Sequence, residues 1–244
     1  MAAPRPIPRR SLTDQVADAL VDLIRERGLR SGDALPATAD LSESFNVSRP
    51  VVREAVAQLA GRGLLVRQQG RESVVTVPGS EHLEQLLRYR IEGSGVSDDV
   101  LQDYRETLEA AAARLAARNA TEDDLAALRE RFAELCAAQG DDALHDADVA
   151  FHRAVAVASH NELILLTLDA VASLIRQLRR RAWSGWKAAG KGLQPVLDAH
   201  ERILDAITRG DEHAAAEAMV SHLAQARAGV AVGAPAAAGE RDGS

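Results

Sequence analysis

Along most of this chain, apolar residues recur at intervals of three and four. Val16, Leu20, Leu23 and Ile24 share one face of a segment that Ser11 can cap and Gly28 can end, which predicts a first helix. After a turn at Ser31-Gly32-Asp33-Ala34-Leu35-Pro36, a short second helix is expected from Ala39 to Phe45. A break at Asn46-Val47-Ser48 leads to a third helix with Val52, Ala55, Val56 and Leu59 on its apolar face. Two helices joined by so brief a turn form a helix-turn-helix. Beyond Gly61 and Gly63 the pattern becomes that of strands: Leu64-Leu65-Val66 and Val74-Val75-Thr76-Val77 flank Gln69-Gly70-Arg71-Glu72, a two-stranded wing. From Asp98 onward the period is helical throughout, with segments at 98–118, 121–138, 141–159, 161–187, 194–209 and 211–230. The expected fold is mainly α, an N-terminal winged helix-turn-helix followed by an antiparallel six-helix bundle.

Composition changes this picture in two places. The net charge of −7 over 244 residues, taken as an average, weighs against a nucleic-acid binder. The average conceals a partition. Up to Pro78 there are 11 Arg and no Lys against 9 acidic residues, a net of +2, whereas the remainder holds 18 basic and 27 acidic residues, a net of −9. The expected organisation is a DNA-binding domain over 1–78, a linker with one short helix over 79–97, a helical effector-binding domain over 98–228 and a disordered tail over 229–244. No run approaches the roughly 18 consecutive apolar residues of a membrane span. The N-terminus lacks a secretory apolar stretch, and the single Cys136 has no partner for an internal disulfide, so a cytoplasmic protein without membrane association is expected.

Candidate chemistry follows from the positions that break each pattern. On the third helix Arg49 and Arg53, one turn apart, lie opposite the apolar face, with Ser48 as N-cap and Pro50 in the first turn. Together with Gln69, Gly70 and Arg71 of the wing they form a candidate surface for duplex DNA. This stretch, about residues 8 to 78, resembles the GntR family of bacterial transcription regulators. The resemblance rests on Ser31-Gly32-Asp33-Ala34-Leu35-Pro36, Val47-Ser48-Arg49, Val52-Arg53-Glu54-Ala55 and Gly63-Leu64-Leu65. It implies a homodimer on a palindromic operator. Two departures stand out: Thr38-Ala39 replaces the usual Glu-Arg, which removes one cationic contact, and Pro50 stands one place early.

In the bundle, polar residues fall on apolar stripes. Arg105 lies among Leu101, Leu108 and Ala112; Asp148 and His152, at i and i+4, lie among Leu144, Phe151 and Val155. His200 sits with Val196, Ile203 and Ile207, and His222 with Ala215, Met219 and Ala226. One carboxylate and three imidazoles from three helices suit a divalent metal, zinc first, with nickel, manganese or iron as alternatives. His82, His145, His160 and His213 lack inward placement and are expected at the surface. Arg176, Arg179, Arg180 and Arg181 read as a solvated face. Trp183 and Trp186 fit either a lid or core packing.

Residues 98 to 226 are also similar to the sensor (FCD-type) domain of the FadR group, through Asp103-Tyr104-Arg105, Leu108-Glu109, Asp148, Phe151-His152, Asn161, His200, Gly210-Asp211 and Met219 with His222-Leu223. Six rather than seven helices match its VanR-type branch. Glu162 stands where a proline usually follows Asn161. The resemblance implies a metal held by Asp148, His152, His200 and His222, and a small carboxylate effector that completes its coordination and pairs with Arg105. The reading is therefore a ligand-modulated transcription regulator, a repressor by resemblance, and not an enzyme. The competing readings are a metal-responsive or metal-free regulator and a helical metalloenzyme with Glu109 as its base.

Overall fold

The structure, a computed structural model, describes residues 10–233, apart from the side chains of Glu92 and residues 230–233. It divides into two compact units, with the division between His82 and Leu83. The first unit holds α1 (Leu12–Glu26), α2 (Thr38–Ser44), α3 (Arg49–Gly61), β1 (Leu65–Val66) and β2 (Val74–Val75). Ser11 Oγ accepts the Asp14 N–H at 3.0 Å, so α1 begins on a satisfied cap. Val16 and Leu20 of α1, Leu41 of α2 and Val52, Ala55 and Leu59 of α3 close one apolar core over Leu65 and Val75. Polar ties set the α1–α3 register: the Gln58 amide donates to Asp14 Oδ1 at 2.9 Å and the Thr13 hydroxyl to Glu54 at 3.1 Å.

Between α2 and α3 the chain turns through Asn46 at φ 51, a left-handed conformation that asparagine tolerates better than most residues. Ser48 occupies the N-cap position of α3 but makes no side-chain cap bond; Pro50, in the first turn, has no N–H to give it. The segment Ser31–Pro36 is more than a turn. Ala34 bridges Val74, the Val75 N–H donates to Asp33 O and the Leu35 N–H to Ser73 O, both at 2.8 Å, so the segment zips onto β2 as a third, very short strand. The β1–β2 pair is antiparallel, with Leu65 opposite Val75.

The division falls within the first turn of α4 (Ser80–Ser94); in the second unit Leu87 of this helix packs against a small cluster of Leu101, Val171, Ile175 and Leu178. Six further helices follow: α5 (Asp98–Asn119), α6 (Glu122–Ala137), α7 (Asp141–Ala158), α8 (Glu162–Ala188), α9 (Gln194–Thr208) and α10 (Glu212–Gly233). Their starts follow local chemistry. Thr121 and Asp124 form a reciprocal capping box on α6, and Asn161 accepts the Leu163 and Ile164 N–H groups on α8. The main core gathers Ala112 and Ala116 of α5, Leu128 of α6, Phe151 and Val155 of α7, Ile203 and Ile207 of α9, and Met219 and Leu223 of α10.

The helix ends differ from expectation at one place. A disordered tail is expected from Gly229, yet α10 continues through Gly229 to Gly233; residues 234–244 of that tail lie outside the described residues. Gly229 is a packing residue here rather than a helix stop: a Cβ on it would collide with the Ala182 carbonyl of α8. Gly229→Ala therefore forces two backbones apart. It should cost about 1–3 kcal/mol and lower the melting temperature by several degrees in calorimetry. Gly93→Ala, in α4 where nothing approaches the added methyl, should be neutral or slightly stabilising. Equal behaviour of the two variants would refute the close-approach argument.

Candidate functional site

Asp148, His152, His200 and His222 converge. Each offers one ligand atom, and all four atoms lie within 4.8 Å of one another. Asp148 and His152 project from one face of α7, His200 from α9 and His222 from α10, so three helices position the set. His200 Nε2 is 3.0 Å from Asp148 Oδ1, His152 Nε2 is 3.7 Å from the same oxygen, and His152 Nε2 is 3.1 Å from His222 Nε2. Ligand atoms about 2.1 Å from a common ion stand about 3.0 Å apart at right angles and about 3.4 Å apart in a tetrahedron. The spacing fits.

Hydrogen-bond accounting gives an independent test of that fit. The far nitrogen of His200, Nδ1, donates to Val196 O at 2.8 Å, which leaves Nε2 as a lone pair facing the carboxylate. His152 Nδ1 lies against the Glu109 carboxylate, so its Nε2 is likewise an acceptor. With neutral imidazoles, at most one of the three contacts can be a hydrogen bond, through a proton on His222. A cation at the centre satisfies all of them, and the partners of the far nitrogens are those that orient metal-binding histidines.

Glu109 and Arg179 complete the surroundings. Arg105 Nε donates to Glu109 Oε1 at 2.7 Å, Arg179 Nη2 to the same oxygen at 3.2 Å, and Arg179 Nη1 to Asp148 Oδ2 at 2.5 Å. Burial works to raise the Glu109 carboxyl, but Arg105, then His152 and Arg179, hold it well below the ordinary glutamate range. Asp148 is likewise held low against its burial by Arg179, His152 and His200. Burial, aided by Arg179 and opposed by Glu109 and Asp148, pushes His152 down to about 4. Burial, with His200 and His152, drives His222 well below its usual value. At neutral pH both imidazoles are neutral, as metal ligation requires.

Two surface expectations are corrected. Arg179 is only 7% exposed, although its neighbours form exposed ion pairs: Arg176 with Asp146, Arg180 with Asp142 and Arg181 with Asp98. The cause is period: Arg179 shares a stripe with Val171, Ile175, Leu178 and Ala182, and the available carboxylates make its burial tolerable. His145 is buried at 6% exposure. It precedes Asp148 and His152 by three and seven residues, so it belongs to their stripe. His160 and His213 are exposed and His82 is partly buried. Glu109 enters the expected site only as the base of the enzyme reading; its place one turn after Arg105 is the signal for the ion pair it forms there.

A cavity of about 80 Å³ adjoins the cluster. Arg105, Asp148, Arg179 and His222 line it together with His145, Trp183 and Trp186, and Trp186 is itself buried. Arg105 is fully buried, and burial, then Arg179, lowers its affinity for the proton, though it remains a cation. Its Nη1 has no partner. A buried guanidinium with an unmet donor beside a cavity is suited to a ligand carboxylate.

In the first unit, Ser48, Arg49, Pro50 and Arg53 are all exposed along one side of α3, and Gln69, Gly70 and Arg71 are exposed at the wing tip, where Gly70 turns at φ 71. Among the described residues no carboxylate forms a salt bridge with Arg49, Arg53 or Arg71; the arginine pairs on this unit are Arg10 with Asp18 and Arg25 with Asp22. Ala39 is exposed and brings no charge.

Comparison with known proteins places both units. Residues 100–225 match the family described as FCD domain, and residues 12–75 match the bacterial regulatory proteins of the gntR family. The chain is 34% identical to the HTH-type transcriptional regulator LutR of Bacillus subtilis, over 82% of this chain and 93% of that protein. It is 32% identical to a putative L-lactate dehydrogenase operon regulatory protein of Escherichia coli, over 89% and 85% of the two chains. It is 29% identical to the galactonate operon transcriptional repressor of the same organism, over 87% and 93%. A solved structure of Streptococcus agalactiae GntR superposes with a TM-score of 0.67 at 28% identity, covering 89% of this chain and 99% of that one. Among the described residues no helix is long and apolar enough to cross a membrane.

The site makes the metal-free protein acid-sensitive. His152 and His222 have folded values below their unfolded value of about 6.5, so the unfolded chain binds more protons below that pH. Stability should be full above about pH 6.5 and fall as His152 is driven toward 4; Glu109 and Asp148 should add a further loss below about pH 4, as the pH approaches their depressed values. Melting curves by circular dichroism after chelation should show this slope, and His152→Asn should flatten its upper part. A profile unchanged between pH 7 and 5 would contradict the assignment.

Proposed function

The chain belongs to the GntR family of bacterial regulatory proteins, and on that footing we propose that it is a DNA-binding regulator whose operator affinity is set by a small carboxylate held at a metal centre in its FCD domain. The carrying observation is the convergence of Asp148, His152, His200 and His222 beside the unmet donor of Arg105. A divalent metal, zinc by preference, would be held by those four residues and would supply open coordination positions for carboxylate oxygens. The chain's own residues do the rest. Glu109 and Val196 fix the ring orientations of His152 and His200, Arg105 meets the effector's charge, and the bundle excludes water from around it.

Arg49 and Arg53, with Gln69, Gly70 and Arg71 of the wing, are proposed to contact base edges and phosphates, and Ser48 and Pro50 to set how α3 approaches the groove. A homodimer would match its two-fold axis to a palindromic operator. The regulator reading is favoured over a metalloenzyme because Glu109, the nearest candidate base, is engaged by Arg105, Arg179 and His152. The relatives' names concern a lactate dehydrogenase operon and a galactonate operon, which directs the search to hydroxycarboxylates. Ligand can change DNA affinity only through different affinity for two states of the protein; release of DNA on ligand binding is the expected polarity.

In fluorescence anisotropy on its own upstream DNA, Arg49→Ala or Arg53→Ala should weaken binding and reduce the slope of log affinity against log salt by about one each. His200→Ala should keep DNA affinity, lose bound metal by elemental analysis and lose any carboxylate response. Full metal content or an intact response in His200→Ala would refute the proposed centre.

A separate check reads the metal alone. Zinc at about a hundred times its dissociation constant should stabilise the protein by about 2.7 kcal/mol, and His152→Ala should abolish that shift in a thermal melt. An equal shift in both proteins would place zinc elsewhere.

A further inference from the structure

The unmet hydrogen-bonding groups of the cavity select among carboxylates. Five buried polar atoms of residues on its lining lack partners: Arg105 Nη1 and Arg179 Nε, which can only donate, Gln225 Oε1, which can only accept, and His145 Nε2 and His222 Nδ1, which can do either. A bare carboxylate or dicarboxylate answers the two arginines and leaves Gln225 unmet. A ligand that pairs them all carries a carboxylate and a hydroxyl hydrogen. Gln225 stands one turn beyond His222 on α10 and so lies next to the cluster, where a hydroxyl close to the carboxylate would fall.

The remaining wall is apolar. Leu135, Leu144, Ala182, Trp186, Val196 and Ala226 supply it. Trp186 is fixed, because its indole N–H donates to Gly192 O at 2.9 Å and Lys191 lies over its ring at 4.2 Å. A second, third or fourth ligand hydroxyl would meet these side chains and lose its water without a replacement bond. The volume, about 80 Å³, equals roughly half a dozen water positions. It admits a compact ligand.

Resting on the effector reading above, we infer that the site takes a 2-hydroxy monocarboxylate with a short branched apolar body, and that Gln225 is the specificity-determining residue that reads the hydroxyl. The polyhydroxylated acids are excluded by the wall and the unsubstituted acids by Gln225.

Three probes of nearly equal size separate these statements in isothermal titration of the full-length, zinc-dialysed protein: 2-hydroxyisocaproate, 4-methylvalerate, which lacks the hydroxyl, and threonate, which carries extra hydroxyls in place of the apolar body. The expected result is that 2-hydroxyisocaproate binds at least tenfold more tightly than either. In Gln225→Leu the preference over 4-methylvalerate should collapse to parity, because 4-methylvalerate no longer leaves an acceptor unmet and binds more tightly while 2-hydroxyisocaproate loses its hydroxyl partner, with the zinc content of the wild type. Threonate binding as well as or better than 2-hydroxyisocaproate would overturn the apolar class. A hydroxyl preference that survives Gln225→Leu would overturn the role of Gln225. Binding of lactate or galactonate without 2-hydroxyisocaproate would sink this inference and leave the effector reading standing. No binding by any of the five acids would remove both.

Discussion

The second unit is organised around a problem of charge. Glu109, Asp148, Arg105 and Arg179 place two carboxylates and two guanidiniums inside a helical bundle, and burying any one of them alone would cost several kcal/mol. They are tolerable only as a set, because each arginine touches Glu109 and Arg179 also reaches Asp148. Attraction across α5, α7 and α8 thereby fixes how these helices face one another. The histidines inherit their orientation from that arrangement, since His152 leans on Glu109 and Asp148 is held by Arg179. The position that a metal would occupy is a product of ion pairing among groups most of which would never touch it.

This dependence explains what could be read from the sequence and what could not. Single-helix periodicity places a residue on a face, and that sufficed for the helix-turn-helix, for the helix bounds of the bundle and for the inward placement of Asp148, His152, His200, His222 and Arg105. Arg179 and His145 defeated the same reasoning because their residue types argue for solvent while their stripes argue for the core. For Arg179 the conflict is settled only by carboxylates on other helices, which are remote in sequence: Glu109 is 70 residues from Arg179. The third strand at Ala34 was hidden for a related reason. Its pairing with Val74 uses backbone groups, which carry no sequence signature beyond the turn that precedes them.

The N-terminal unit shows the opposite economy. Its core is built from small and branched apolar residues with few polar ties, and among the described residues no carboxylate forms a salt bridge with Arg49 or Arg53 of α3 or with Arg71 of the wing. Unpaired surface charge adds little to stability, but it is free to displace counterions from a phosphate backbone. Ala39 brings no charge to this surface, and Ser48 makes no side-chain cap bond at the start of α3.

Gly229 gives the bundle a positional reference. Where α10 passes Ala182 the two backbones meet without an intervening side chain, and that stop sets both the height and the rotation of the helix. His222 lies seven residues upstream of it, about two turns, and Gln225 four residues upstream, about one turn. Insertion or deletion of one residue between them would swing His222 about 100° away from its partners, whereas a change of side chain at 225 would leave that geometry untouched. Length in this stretch is under tight constraint while identity at one position is free, so the same scaffold can exchange one metabolite for another by substitution without rebuilding its centre.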